Sequence, residues 1–256
     1  MSVLESNQEA GVLILRLNRP EKHNCLNEEL LMALQSACSD ANANASIKAV
    51  LLIGNGKSFC AGADINQLAQ CHAISGYKFS RLGQVVMDQI EQLSKPVLAA
   101  LHGHVLGGGC ELAMSAHLRF AHPETQLGQP EIKLGVIPGY GGTQRLSRLI
   151  GRSKALDLCL TGRFVDAHTA LQYGLIDRIY ADNLEQEALN YLKIISEQPP
   201  QAVACLLHSI VEGENMPLDK ALNLEAFNFA MVCSSDDKRE GVAAFLEKRQ
   251  AHFTGS

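Results

Sequence analysis

The chain has 256 residues, of which 46% are hydrophobic and 19% charged, and its formal net charge is -5. This composition is typical of a globular protein large enough to bury a core, and the acidic balance argues against nucleic-acid partners, whose binding surfaces usually carry a basic excess. No apolar run approaches the roughly 18–20 residues of a membrane span, no secretory signal is visible, and the eight cysteines form no C-x-x-C pair; we therefore expect a cytoplasmic protein without a membrane partner.

The first two-thirds of the chain alternates between strand-like and helix-like patterns. In chain order the predictions are a strand at 12–17, a helix after Asn27, a strand at 49–53, a helix at 79–93, a strand at 97–101 and a helix from about Gly109. The predicted strands are short and almost wholly apolar, whereas the predicted helices repeat apolar residues every three or four positions. Asn27 is predicted to cap its helix because its side-chain oxygen accepts from backbone N–H groups of the first turn.

The last third of the chain is predicted to be helical. A helix at 167–173 is bracketed by Asp166 as N-cap and Gly174 as the terminating glycine. Four further helices are predicted at 184–196, 200–212, 218–234 and 236–250. Strands mixed with helices, followed by a helical tail, indicate an α/β protein with a helical C-terminal part.

Nucleotide and metal motifs fail on inspection. Gly56-Lys57-Ser58 ends like a phosphate-binding loop, but Leu51 stands where that loop needs its first glycine. The dinucleotide pattern G-x-G-x-x-G is absent. His102 and His104 are close in sequence, yet no third metal ligand is suggested. We therefore predict no nucleotide cofactor and no metal.

Three short segments carry the candidate chemistry. Residues 107–111 (Gly-Gly-Gly-Cys-Glu) join a predicted strand to a helix, where backbone without side chains lets amide N–H groups approach a substrate oxygen. Glu131 is followed by apolar residues, Ile132 and Leu134 among them; we expect them to bury its carboxyl group partly, so that it holds a proton near neutral pH. Residues 59–65 supply a second stretch of small residues. Two sets of N–H donors with two carboxyl groups indicate enolate chemistry on a carbonyl compound.

Each segment also has a purely structural interpretation. Residues 107–111 would form a tight turn with a favourable acid in the first helical turn, and residues 59–65 a loop between a strand and a helix. Glu131 would be a solvated loop acid. The order and separation of the three segments favour the functional interpretation more than any one segment does.

At these residues the chain resembles the crotonase superfamily, and most closely the enoyl-CoA hydratases, over nearly its full length. Besides the three segments, the similarity includes the runs 19–27, 134–139, 141–146 and 241–249. The resemblance implies an α/β fold: a crotonase-like spiral of ββα units over 1–195, followed by a C-terminal α-helical trimerisation region over 196–256. It further implies a homotrimer or a homohexamer.

The resemblance also implies a reaction, the syn addition of water to a trans-2-enoyl-CoA to give a 3-hydroxyacyl-CoA. The backbone N–H groups of Ala63 and Gly108 would form the oxyanion hole. Glu111 would deprotonate the water, and Glu131 would deliver a proton to C2. Contacts with CoA and the acyl chain are implied for Leu26, Ala61, Gly62, Asp64, Ile65, Asn66 and Tyr140. No separate cofactor is expected, since coenzyme A is part of the acyl-CoA substrate.

Two residues depart from the pattern of the hydratases. Asn66 stands where they often have lysine, and Tyr140 occupies a position in a glycine loop that is usually small; we expect Tyr140 to narrow or reshape the acyl pocket. The pair Glu111 and Glu131 favours hydration over an enoyl-CoA delta-isomerase, since isomerases often keep one acid. That isomerase, or another crotonase-type reaction on an acyl-CoA, is one alternative, and a non-catalytic acyl-CoA-binding protein is the other.

Overall fold

The computed structural model of the protein describes residues 2–256. Its strands are β1 (Leu4–Glu9), β2 (Val12–Leu17), β3 (Ala49–Gly54), β4 (Val97–Leu101), β5 (His104–Leu106), β6 (Leu118–Ala121), β7 (Gln126–Gly128), β8 (Phe164–Asp166) and β9 (Arg178–Ile179). Its helices are α1 (Glu28–Ala43), α2 (Ile65–Leu68), α3 (Ala73–Glu91), α4 (Gly108–Ser115), α5 (Gly142–Ile150), α6 (Arg152–Thr161), α7 (Ala167–Tyr173), α8 (Leu184–Ser196), α9 (Pro200–Gly213), α10 (Leu218–Cys233) and α11 (Asp236–Glu247). Short 3-10 turns form at Pro20–Lys22 and Glu131–Leu134.

The strands are divided between two sheets. The larger has the order β1-β2-β3-β4-β6-β9, in which β1 and β2 are antiparallel and all other neighbours parallel. The smaller has the order β5-β7-β8. Every residue of β3 and β4 is buried, as expected for parallel strands that are covered on both faces.

The chain repeats one unit: a strand of the larger sheet, then a strand of the smaller sheet, then a helix. Thus β4 is followed by β5 and α4, and β6 by β7 and α5. Earlier repeats have a single β-bridge in place of the short strand of the smaller sheet. Cys60 pairs with Val105 and Leu26 with Ala63, both in parallel. This repetition stacks residues 60–63 directly beside β5 and the start of α4.

Two layers of helix bury the opposite faces of the larger sheet. Leu51 and Leu98 pack against α8 on one face. Their chain neighbours Leu52 and Ala99 join a larger cluster with α1 and α3 on the other. The division follows the two-residue period of a strand, which directs successive side chains to opposite faces. The core therefore holds β3 and β4 rigidly, and the site segments at 59–65 and 107–111 follow these strands in the chain.

The structure confirms most predicted elements and corrects several boundaries. Asn27 caps α1 by accepting a hydrogen bond from the Leu30 amide at 3.0 Å, and α8 spans the predicted residues. α3 begins at Ala73 and ends at Glu91, whereas the prediction was 79–93. α11 ends at Glu247, before the predicted residue 250, because Lys248 adopts a left-handed conformation with φ of 56°. The last third is not wholly helical, since β9 pairs with β6. None of the helices within residues 2–256 is both long and apolar enough to cross a bilayer.

Candidate functional site

Three consecutive glycines bring the start of α4 against the rest of the site, each for a different reason. Gly107 has φ of 51° and ψ of -125°, a conformation that favours glycine. A Cβ atom on Gly109 would lie 2.0 Å from the Cys60 carbonyl oxygen, so only glycine lets residues 60–63 approach the helix. A Cβ atom on Gly108 would lie 3.2 Å from the Ala63 amide nitrogen. The two amides predicted to bind one oxygen, Ala63 and Gly108, are therefore neighbours in space.

The backbone around Ala63 is fixed by hydrogen bonds on both sides. Leu26 donates to the Gly62 carbonyl at 2.8 Å and accepts from the Asp64 amide at 2.8 Å. Among residues 2–256, neither the Ala63 amide nor the Gly108 amide donates to another protein atom. Amide groups held rigidly with free N–H bonds form a place where negative charge on an oxygen is stabilised without reorganisation.

Glu111 lies in the first turns of α4 and is almost completely buried, with 2% of its surface exposed. Its Oε1 atom accepts hydrogen bonds from the amides of Tyr140, at 2.7 Å, and Gly142, at 2.6 Å. A Cβ atom on Gly142 would lie 2.9 Å from the same oxygen, so glycine is needed for this approach. One oxygen of Glu111 is thus occupied by the backbone, and the carboxyl group has a fixed orientation.

Arg145 holds the loop that supplies these amides. Its guanidinium donates to the Tyr140 carbonyl at 3.2 Å and pairs with Asp88 at 2.6 Å and Glu91 at 2.7 Å, both on α3. Tyr140 therefore has its carbonyl tied to Arg145 and its amide tied to Glu111. Arg145 was not predicted as a site residue, because its partners on α3 are more than fifty positions away in the chain.

Glu131 approaches the site through the space that Gly107 leaves open. A Cβ atom on Gly107 would lie 2.8 Å from Glu131 Oε1. Its apolar chain neighbours are largely exposed: Ile132, Leu134 and Ile137 are 41%, 55% and 71% exposed. Glu131 itself is half-buried, with its carboxyl group against Gly107 and beside the side chain of Gln129.

Gln129 is a further site residue that sequence reasoning missed. It is fully buried. With its amide nitrogen oriented towards Glu131, the assignment that satisfies both groups, it donates to Oε1 at 2.9 Å and to Oε2 at 3.0 Å. The other end of the same amide faces Gly142. The only sequence signal was its position two residues before Glu131.

Burial keeps both carboxyl groups protonated at unusually high pH. It raises the pKa of Glu111 to about 8, with a further increase from the nearby Glu131 charge, and the Gly142 and Tyr140 amides oppose this. Burial also raises the pKa of Glu131 to about 7. Because ionisation of one carboxyl group disfavours ionisation of the other, the two groups titrate as a coupled pair. Near neutral pH this pair can both accept and donate a proton.

Five of the seven residues predicted to contact CoA or the acyl chain flank Ala63 in the chain. Asp64 caps α2 and pairs with Arg19 at 3.0 Å, a hydrogen bond that lowers the pKa of Asp64. Ile65 and Asn66 are exposed, and Ala61 is half-buried. Gly62 adopts φ of 137°, where a side chain would be strained.

Leu26 is fully buried. Its implied contact with CoA or the acyl chain stays a prediction. Its backbone holds Gly62 and Asp64 in place, so its observed contribution is to support the oxyanion segment.

Comparison with known proteins places this geometry in a family. The family model described as enoyl-CoA hydratase/isomerase matches residues 7–256. The chain is 39% identical over 248 residues to the short-chain-enoyl-CoA hydratase of Clostridium acetobutylicum, which covers 95% of this chain and 94% of that protein. It is 38% identical over 253 residues to the crotonyl-CoA hydratase of Syntrophomonas wolfei, and this match covers 98% of this chain and 96% of that protein.

Solved structures give the same result. The crystal structure of an enoyl-CoA hydratase from Bacillus anthracis superimposes with a TM-score of 0.95 at 35% identity, covering 99% of this chain and all of that one. This likeness confirms the expected crotonase-like α/β fold with its helical C-terminal region. The chain belongs to the enoyl-CoA hydratase/isomerase family.

Proposed function

We propose that this protein hydrates trans-2-enoyl-CoA thioesters to 3-hydroxyacyl-CoA. The observation that carries the proposal is the pairing of two proton-holding carboxyl groups, Glu111 and Glu131, with two free amides, Ala63 and Gly108. Binding a thioester needs the amides alone. Two acids become useful when one proton must be removed from water and another added to carbon.

The proposed reaction follows from the positions of these groups. The thioester oxygen accepts hydrogen bonds from the amides of Ala63 and Gly108, which draw electron density from the conjugated double bond. The reaction starts from the form of the pair in which Glu111 is ionised and Glu131 holds a proton. Water attacks C3 while Glu111 takes its proton, and the π electrons move towards the thioester, where the amides stabilise the negative charge. Glu131 then supplies the proton that closes the C2–H bond, and transfer of the proton from Glu111 to Glu131 restores the pair, so one molecule of water is added in total.

Coenzyme A enters as part of the substrate, so no separate cofactor is proposed. Its nucleotide end is placed along residues 61–66, which are partly exposed beside the oxyanion amides. The names of the relatives from C. acetobutylicum and S. wolfei support hydration. Isomerisation of an enoyl-CoA is the second candidate, because the family includes it, but moving a proton between two carbons requires only one acid–base group.

Purified protein mixed with crotonyl-CoA tests the function directly. We expect the ultraviolet absorption of the conjugated enoyl thioester to disappear and the product mass to increase by one water. An unchanged spectrum with saturable binding would support the acyl-CoA-binding alternative. Formation of the conjugated band from a 3-enoyl-CoA, without water addition to crotonyl-CoA, would assign an isomerase instead.

We also propose that residues 196–256 assemble the chain into a trimer or a hexamer, with residues 1–195 as the catalytic core. Large apolar side chains on the C-terminal helices are exposed: Leu206, Ile210, Leu218, Leu222, Phe227, Phe229, Phe245 and Leu246. Exposed apolar surface of this extent is typical of an interface between subunits. A cytoplasmic location is proposed from the eight free thiols.

Sedimentation of the native protein tests the assembly. We expect a single species with three or six times the mass of the chain, and a smaller species after Phe229→Asp, because a charge buried at an apolar interface is strongly unfavourable. A monomeric native protein would contradict the proposal.

A further inference from the structure

The ring of Tyr140 is held between two helices beside the oxyanion amides. A Cβ atom on Gly83, in α3, would lie 2.1 Å from Tyr140 Cδ1, so one edge of the ring lies directly on the α3 backbone. A Cβ atom on Gly108 would lie 3.3 Å from both Cδ2 and Cε2, so the opposite edge faces the start of α4. Glycine at both positions makes room for the ring, and the ring fills that room.

The backbone of the same residue is hydrogen-bonded to the carboxyl group that acts on C3. The backbone amide of Tyr140 donates to Glu111 Oε1 at 2.7 Å. The proposed reaction puts the thioester carbon at Gly108 and C3 at Glu111, so a side chain that touches Gly108 and belongs to the residue that holds Glu111 lies beside the acyl end of the substrate. Phe79 extends this aromatic wall, with its ring centroid 5.3 Å from that of Tyr140.

The phenol contributes volume and no hydrogen bond. Tyr140 is 2% exposed, and within residues 2–256 its hydroxyl group is buried without a partner. A polar group at the end of an acyl chain has no open path to this oxygen unless the ring moves. Two backbones and a neighbouring ring enclose Tyr140, so its displacement would disturb α3 or α4.

We infer that Tyr140 closes the acyl pocket just beyond C3 and restricts this enzyme to short-chain 2-enoyl-CoA substrates such as crotonyl-CoA. The inference rests on the proposed hydratase function. It assigns chain-length selection to one side chain, acting through its size.

The test compares the ratio of kcat/KM for trans-2-octenoyl-CoA to that for crotonyl-CoA in the native protein and in Tyr140→Phe, Tyr140→Leu and Tyr140→Ala. Each variant keeps the backbone amide that holds Glu111. We expect the ratio to increase at least about tenfold in Tyr140→Ala, since accommodation of even one methylene in an apolar pocket is worth roughly that factor. Tyr140→Leu should give a smaller increase, and Tyr140→Phe should keep the native ratio.

The ratio is independent of the fraction of each preparation that is folded, so partial loss of stability does not obscure the result. If Tyr140→Ala does not fold, Tyr140→Leu provides the comparison. An unchanged ratio in the variants with smaller side chains, or a native preference for octenoyl-CoA, would overturn the inference while leaving hydration intact. A changed ratio in Tyr140→Phe would show that the hydroxyl group takes part and would overturn the assignment to size. Failure of the native protein to hydrate either thioester would instead refute the proposed function.

Discussion

Replacing Glu111 by glutamine is expected to reduce turnover of crotonyl-CoA by at least about 10²-fold, the lower range for loss of an acid–base group. The glutamine oxygen can still accept from the amides of Tyr140 and Gly142, so the surrounding loop keeps its hydrogen bonds. What is lost is the ability to take a proton from water. Glu124→Gln, the same change at an exposed carboxylate, is the matched control and should leave turnover unchanged.

Glu111→Gln should also be more stable than the native protein, by an amount that grows as the pH rises from the ordinary carboxyl range to about 8 and is constant above it. Burial raises the folded-state pKa of Glu111 above its usual value, so the folded state favours the protonated group and loses stability as pH rises through that pKa. Glutamine is neutral throughout. The difference in Tm, variant minus native, should therefore be smaller at pH 5 than at pH 9. Near-native turnover would remove Glu111 from its role, and a Tm difference independent of pH would contradict the effect of burial.

Replacing Glu131 by glutamine is expected to lower kcat by at least about 10²-fold while binding of crotonyl-CoA changes little. The carboxyl group lies against Gly107 and is contacted by Gln129, and glutamine fits the same space. The fold should persist, because Gln129 can reverse its amide to pair with the new side chain. Stopped-flow absorbance at saturating substrate, together with equilibrium binding, separates the two effects; a loss confined to binding would argue against proton delivery by Glu131.

Gln129→Met provides an independent check of the same carboxyl group. The variant removes two donors that stabilise the ionised form of Glu131, so its pKa should rise further. Since Glu131 donates its proton in the proposed reaction, the alkaline limb of the kcat profile should move to higher pH. Loss of rate without any movement of this limb would mean that Gln129 serves packing alone.

Local patterns were sufficient for the main helices and the central strands. The apolar runs at 49–53 and 97–101 are buried strands, and Asn27 and Asp166 cap the helices that follow them. Such elements are determined by residues close together in the chain, which is why periodicity and capping predict them. The short strands β5 and β7 were not predicted, since three residues carry too little pattern and depend on a partner strand for their existence.

The sequence by itself determined which residue types the site holds: small residues at 60–63 and 107–109, and carboxyl groups at 111 and 131. Through its resemblance to a family it also indicated the fold and the reaction. Only the tertiary structure decided that the Ala63 amide lies beside Gly108, that Gln129 and Arg145 position the site, and that the Glu131 carboxyl group lies against Gly107 while its apolar chain neighbours stay exposed. The physical reason is that burial, and with it the pKa of a carboxyl group, depends on which segments meet in space, and those contacts join positions tens of residues apart.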